Sequence, residues 1–123
     1  MKKLFIILLM SILCSIASYA EYVQTCKIKY RKNYSWSDYY SVTVRFYAGA
    51  ELNRIIGTYD FEPYKVYAIV WWNHDECSII KIESYMACGT NVTQTCINGH
   101  WGNLEGEDEE GRKWEICTSN WCN

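Results

Sequence analysis

Few side chains in this chain are of a type and spacing that could do chemistry. Histidine occurs twice, as His74 in "NHDEC" and His100 in "NGHWG". His74 stands beside Asp75 and Glu76, and an imidazole next to carboxylates is the pairing that general acid–base catalysis uses. Both positions argue against that role. His74 falls in a predicted tight turn, and His100 borders Trp101 at a predicted strand end. Neither has an identifiable nucleophile for a partner. GxSxG, a glycine-rich phosphate loop and HExxH are all absent. No residue is therefore assigned a catalytic role, and no cofactor is expected. The acidic run Glu105, Glu107, Asp108, Glu109 and Glu110 invites calcium. It lacks the alternating oxygen ligands, central glycine and distal bidentate glutamate of a calcium loop, so it reads as a solvated hairpin tip.

The cysteines are the next group. Cys14 lies in the N-terminal apolar segment, and six others follow: Cys26, Cys77, Cys88, Cys96, Cys117 and Cys122. A metal site would need paired CxxC-type spacing and a ligand set, which are missing. An even number in an exported chain of this size reads as three disulfides. The expected pairing closes two short polar loops, "CGTNVTQTC" (Cys88–Cys96) and "CTSNWC" (Cys117–Cys122), leaving Cys26 with Cys77. That last bond would close about fifty residues and contribute roughly 4 kcal/mol by the chain-entropy model.

The third group is aromatic and basic. In "YRKNYSWSDYY", residues 30 to 40, Tyr30, Tyr34, Trp36, Tyr39 and Tyr40 are set among turn and surface residues. Tyr34, Trp36 and Tyr39 fall in what reads as a connection between two strands. Such rings bury much area at low entropy cost and carry a polar tip, which suits recognition of a protein or stacking on a sugar. The competing expectation is a lid folded over an open barrel end. Lys27, Lys29 and Arg31 form one face of the preceding strand. They read either as the protective charges of a sheet edge or as a landing patch for an acidic glycan or protein.

The chain opens MKKLFIILLMSILCSIASYA. Lys2 and Lys3, an apolar run and small residues at Ser18 and Ala20 make a secretory signal with cleavage expected after Ala20. The segment is too short for a stable membrane anchor. Leu13 before Cys14 is a poor fit to a lipidation site. The expected address is therefore periplasmic or secreted. Removing the two lysines leaves a mature charge of −4. Nucleic acid is a poor partner for such a chain, because phosphate binding needs a basic field. The charge is uneven: residues 21–72 carry +2 and residues 73–123 carry −6.

These residues must be positioned by strands. The chain has one proline and no long stretch of 3.6-residue periodicity, while period-2 segments are frequent. "TCKIKY" sets Cys26, Ile28 and Tyr30 against Lys27, Lys29 and Arg31. "SVTVRFY" sets Val42, Val44 and Phe46 against Thr43, Arg45 and Tyr47. "KVYAIVWW" and "CSIIKIES" are expected to pair around residues 73–76 with Trp71 facing Ser78, Ile69 facing Ile80 and Tyr67 facing Ile82, those apolar residues forming the core. "HWGNLE" and "RKWEIC" are expected to pair Trp101 with Ile116 and Asn103 with Trp114. "ELNRIIGTYDF" reads as a strand returning from an Ala48–Ala50 turn, or as a short helical turn at Leu52–Ile56. The expectation is one all-β domain over residues 21–123, an antiparallel barrel or sandwich of six to seven strands.

The functional expectation is a non-catalytic binding module outside the cytoplasm that recognises a protein or glycan. One specific form would be an inhibitor filling an enzyme's cleft. The alternatives are a small secreted hydrolase or toxin using His74 or His100, and a structural protein of the envelope.

Overall fold

The computed structural model describes residues 22–72, 76–84, 86, 88–99 and 102–118. The segment before Tyr22, with the expected signal and Cys14, lies outside them. So do His74, His100, Trp101 and Cys122.

The fold is all-β: six antiparallel strands close into a barrel, with a seventh short strand attached. The strands are β1 (Tyr22–Lys32), β2 (Ser35–Trp36), β3 (Tyr40–Ala48), β4 (Val66–Trp71), β5 (Cys77–Ile82), β6 (Leu104–Asp108) and β7 (Lys113–Cys117). β3 to β7 follow one another around the wall, and β1 closes it by pairing with β3 on one side and β7 on the other. β1 is thus no sheet edge along Lys27 and Lys29, contrary to the edge-strand reading. Helix α1 (Gly49–Ile56) crosses between β3 and β4, and the short α2 (Gln94–Asn98) lies between β5 and β6.

Alternation explains the interior. Cys26 and Ile28 of β1, Val44 and Phe46 of β3, and Ile80 and Ile82 of β5 point inward with Leu104, Trp114 and Ile116. β4 departs from the expected register. Trp71 pairs with Cys77, Ile69 with Ile79 and Tyr67 with Lys81, one residue away from the predicted alignment. A one-residue slip exchanges faces. Val66, Ala68 and Val70 therefore line the barrel, while Tyr67, Ile69 and Trp71 face outward with Cys77 and Ile79.

Most of that outward apolar face is buried because α1 covers it, and Trp71 is half-buried at its margin. Leu52, Ile55 and Ile56 follow helical spacing and pack on Tyr47, Tyr67 and Ile69. The segment is a helix rather than a return strand, and β3 takes β4 as its partner instead. Gly49 begins the helix where a Cβ would sit 1.8 Å from the Glu62 carbonyl oxygen, so only glycine fits. Gly57 ends it in the left-handed conformation (φ 79°), as C-terminal glycines do.

The β6–β7 hairpin is three residues out of the expected register. Leu104 pairs with Ile116 and Gly106 with Trp114. Trp114 and Ile116 do point inward as expected, and Leu104 occupies the place assigned to Trp101. The acidic turn is only partly solvated. Asp108 organises it: its carboxylate accepts from the Glu110 and Arg112 amides and the Trp114 indole, each at 2.9 Å. Glu109 folds back to accept from the Ile79 amide at 3.3 Å.

The cysteines correct the three-disulfide expectation. Cys88 and Cys96 are bonded as expected, with a Cα–Cα distance of 5.3 Å. Cys117 is also disulfide-bonded, and its expected partner Cys122 lies outside the described residues. Cys26 and Cys77 are buried free thiols. Cys26 belongs to β1 and Cys77 to β5, three strands apart whichever way the barrel is followed. Cys26 faces the interior and Cys77 faces α1. A disulfide needs Cα atoms about 4.4–6.8 Å apart with facing Cβ vectors, which two such positions cannot provide. Burial pushes both thiols up to about 12, so they are unreactive core side chains.

Candidate functional site

The stretch 30–40 is the end of a long hairpin. β1 runs on past the point where β7 leaves it, turns at Asn33 and Tyr34, and returns as β2 and then β3. Asn33 takes the left-handed conformation (φ 58°) that a tight two-residue turn requires.

The return strand carries one extra residue. Arg31 faces Trp36, yet Ile28 faces Tyr40. Two residues of β1, Lys29 and Tyr30, are thus opposed by three: Ser37, Asp38 and Tyr39. This is a β-bulge. The Ser37 amide donates to the Tyr30 carbonyl (2.8 Å), and the Tyr30 amide donates to Ser37 Oγ (3.0 Å). The hydroxyl of Ser37 thus supplies an acceptor that the interrupted ladder would otherwise lack.

The bulge divides the aromatic residues between two faces. Without it, Trp36 and Tyr40 would share a face, because strand side chains alternate. With it, Tyr40 turns into the barrel mouth and Trp36 turns outward. Tyr30 and Tyr40 stack there at 6.2 Å, Tyr30 meets Trp114 at 5.2 Å, and Trp72 meets both Tyr40 and Trp114 at 5.8 Å. These four rings gather at one end of the barrel, where Tyr40 remains 42% exposed. The lid expected of Tyr34, Trp36 and Tyr39 is therefore built by their neighbours Tyr30 and Tyr40 with Trp72 and Trp114.

Trp36 and Tyr39 lie outside, on the same face as Lys27, Lys29 and Arg31. The Lys29 ammonium sits over both rings, 5.2 Å from the Trp36 centroid and 4.9 Å from that of Tyr39. It also pairs with Glu115 at 3.3 Å. Desolvation is the largest single influence and acts to lower its pKa, but Glu115 and the Tyr39 hydroxyl together outweigh it and the net direction is up. Lys29 therefore stays cationic across the physiological range. Tyr39 is half-buried, and Asn103 donates to its hydroxyl at 3.3 Å. Trp36 remains 40% exposed and Tyr34, at the turn, 96% exposed.

Beside this stack is a shallow depression of about 450 Å³ lined by Lys27, Lys29, Ser37, Asp38, Tyr39 and Ser41. Of the six residues singled out from sequence, the structure brings Lys27, Lys29, Arg31, Trp36 and Tyr39 onto one face. Tyr34 stands at its end. Sequence reasoning missed Ser37, Asp38 and Ser41, although Ser37–Asp38 is where the alternation of the stretch breaks.

Across β5, β6 and β7 outer charges are paired: Lys113 lies 3.0 Å from Glu107 and 3.9 Å from Glu83, and Lys81 pairs with Glu62. Among the described residues no cluster of histidine, cysteine or carboxylate side chains could hold a metal ion. No helix among them is long and apolar enough to cross a membrane. No protein-family model, curated protein or solved structure matches this chain.

Proposed function

We propose that this chain is a binding module that acts outside the cytoplasm and recognises an acidic glycan or protein through its projecting hairpin. One observation carries the reading. A β-bulge turns Trp36 and Tyr39 away from the core and onto the face of Lys27, Lys29 and Arg31. The chain thereby leaves aromatic surface in water that it could have buried, and surrounds it with cations. Large exposed rings beside charged residues are the usual anchors of recognition surfaces. Lys27, Lys29 and Arg31 would attract an anion, with Lys29 shared between it and Glu115. The Cys88–Cys96 disulfide is compatible with an oxidising compartment.

The test uses the oxidised domain from Glu21 onward, immobilised and probed with acidic polysaccharides and acidic proteins. Binding should weaken as salt rises, and Trp36→Ala should weaken it by about 2 kcal/mol or more, roughly thirtyfold. Absence of an acidic ligand, or binding indifferent to Trp36, would overturn the proposal. Turnover of a substrate lost in His74→Ala or His100→Ala would favour the hydrolase alternative instead.

A further inference from the structure

We infer that the ligand of this face is a linear acidic polysaccharide, which crosses β1, β3 and β4 through two subsites, one at Lys29 and Tyr39 and a second at Arg45 and Trp71. This rests on the binding function proposed above and specifies its ligand.

A second depression, of about 380 Å³, is lined by Val42, Thr43, Arg45 and Trp71. Ser41, Thr43 and Arg45 all project outward from β3, since Val44 and Phe46 project inward. The register that sets Val44 against Val70 brings Trp71 alongside Thr43. The two depressions therefore lie next to each other along one strand and open on the same side. From Tyr39 to Arg45 the strand advances about 20 Å, enough for several sugar units in a row.

Each subsite repeats one composition: a cation, an aromatic ring and hydroxyl-bearing side chains. Lys29, Tyr39 and Ser41 make the first, and Arg45, Trp71 and Thr43 the second. A chain of sugars with an acid group at intervals offers matching chemistry, namely a carboxylate or sulfate for each cation, a ring face for each aromatic, and hydroxyls for serine and threonine. Asp38 in the first depression is an acceptor for sugar hydroxyls. A protein partner is the poorer fit. Its anchor residues need well-packed, desolvated pockets, and both depressions are shallow, the first lined mostly by polar side chains and the second by Val42 and Trp71 with Thr43 and Arg45.

The experiment is calorimetric titration of the oxidised domain with heparin-derived disaccharide, tetrasaccharide and hexasaccharide. The expected result is an affinity rising about tenfold or more from disaccharide to hexasaccharide, as linked subsites produce. Arg45→Gln and Trp71→Ala should each remove most of that gain and leave disaccharide binding within about twofold. Arg45→Gln keeps the aliphatic stem and guards against a folding defect in the tryptophan variant. Equal affinity for all lengths, or a length effect indifferent to both substitutions, would overturn the second subsite and leave the binding function standing. So would Trp36-dependent binding of an acidic protein with no oligosaccharide bound. If neither class of ligand bound, both the inference and the proposed function would fall.

Discussion

Two tryptophans separated by the bulge should respond to truncation in opposite ways. Trp114 is 2% exposed, stacks against Tyr30 and Trp72, and donates its indole hydrogen to Asp108. A large aromatic side chain buries about 150–250 Å², worth ~4–6 kcal/mol at about 25 cal/mol/Å². Substitutions of this kind cost about 3–5 kcal/mol in practice. Trp36 is 40% exposed, and the group over its ring is the flexible end of Lys29. Losing an exposed cation–π contact costs about 0.5–1 kcal/mol. Trp36→Ala should therefore cost about 1 kcal/mol and Trp114→Ala about 3–5 kcal/mol. In a domain of this size the melting temperature should fall by about 4–8 °C for the first and by more than about 12 °C for the second. Urea unfolding of the oxidised domain, followed by circular dichroism, reads both values. Equal losses would show that Trp36 is a structural anchor, and the free recognition face would then not exist.

Ile82→Ala should cost about 2–5 kcal/mol and Glu83→Ala less than about 0.5 kcal/mol in the same assay, since Ile82 is fully buried and Glu83 exposed. The folded domain should resist alkylation at pH 8. Unfolding without reductant should expose thiols at Cys26 and Cys77, found by mapping the alkylated peptides; a Cys26–Cys77 peptide linkage would contradict the barrel arrangement. Burial raises the Glu109 carboxyl above the usual carboxylate range, so the folded state favours its protonated form. That contribution is present at low pH and is lost as pH rises through the folded-state value. Glu109→Gln should accordingly gain stability relative to the parent as pH rises above about 4, measured by unfolding at each pH, and a relative loss would reverse the sign of the argument.

Much of the barrel was legible because β1 and β3 alternate cleanly. Cys26, Ile28, Val44 and Phe46 alternate in sequence with polar residues, and they point inward. β4 was misassigned because "VYAIVWW" is apolar on both sides. A strand covered by the barrel interior on one face and by α1 on the other shows no alternation, so its register is invisible in sequence. β6 was placed three residues off for the opposite reason. Its inward position opposite Trp114 is Gly106, where a Cβ would meet Ile80 Cγ2 and the Lys81 carbonyl at 2.6 Å. A glycine packed this closely against Ile80 and the Lys81 backbone carries no hydrophobic signal of its own. The Cys26–Cys77 pairing followed from elimination among cysteines, which cannot know that two strands lie on opposite sides of a closed wall. At the hairpin the right residues were found and their division was not. A bulge depends on hydrogen bonding around Ser37, and one extra residue decides which rings fill the barrel and which face solvent.

The outer face of the hairpin is the proposed site of ligand binding. Titration of the isotopically labelled, oxidised domain with a heparin hexasaccharide, followed by backbone-amide and indole NMR shifts, tests it most directly. The largest changes are expected at the Trp36 indole and the amides from Lys27 to Arg45, with the buried Trp114 indole unmoved. Shifts centred on the exposed Tyr59 and Tyr64, or no shifts at saturating ligand, would contradict it.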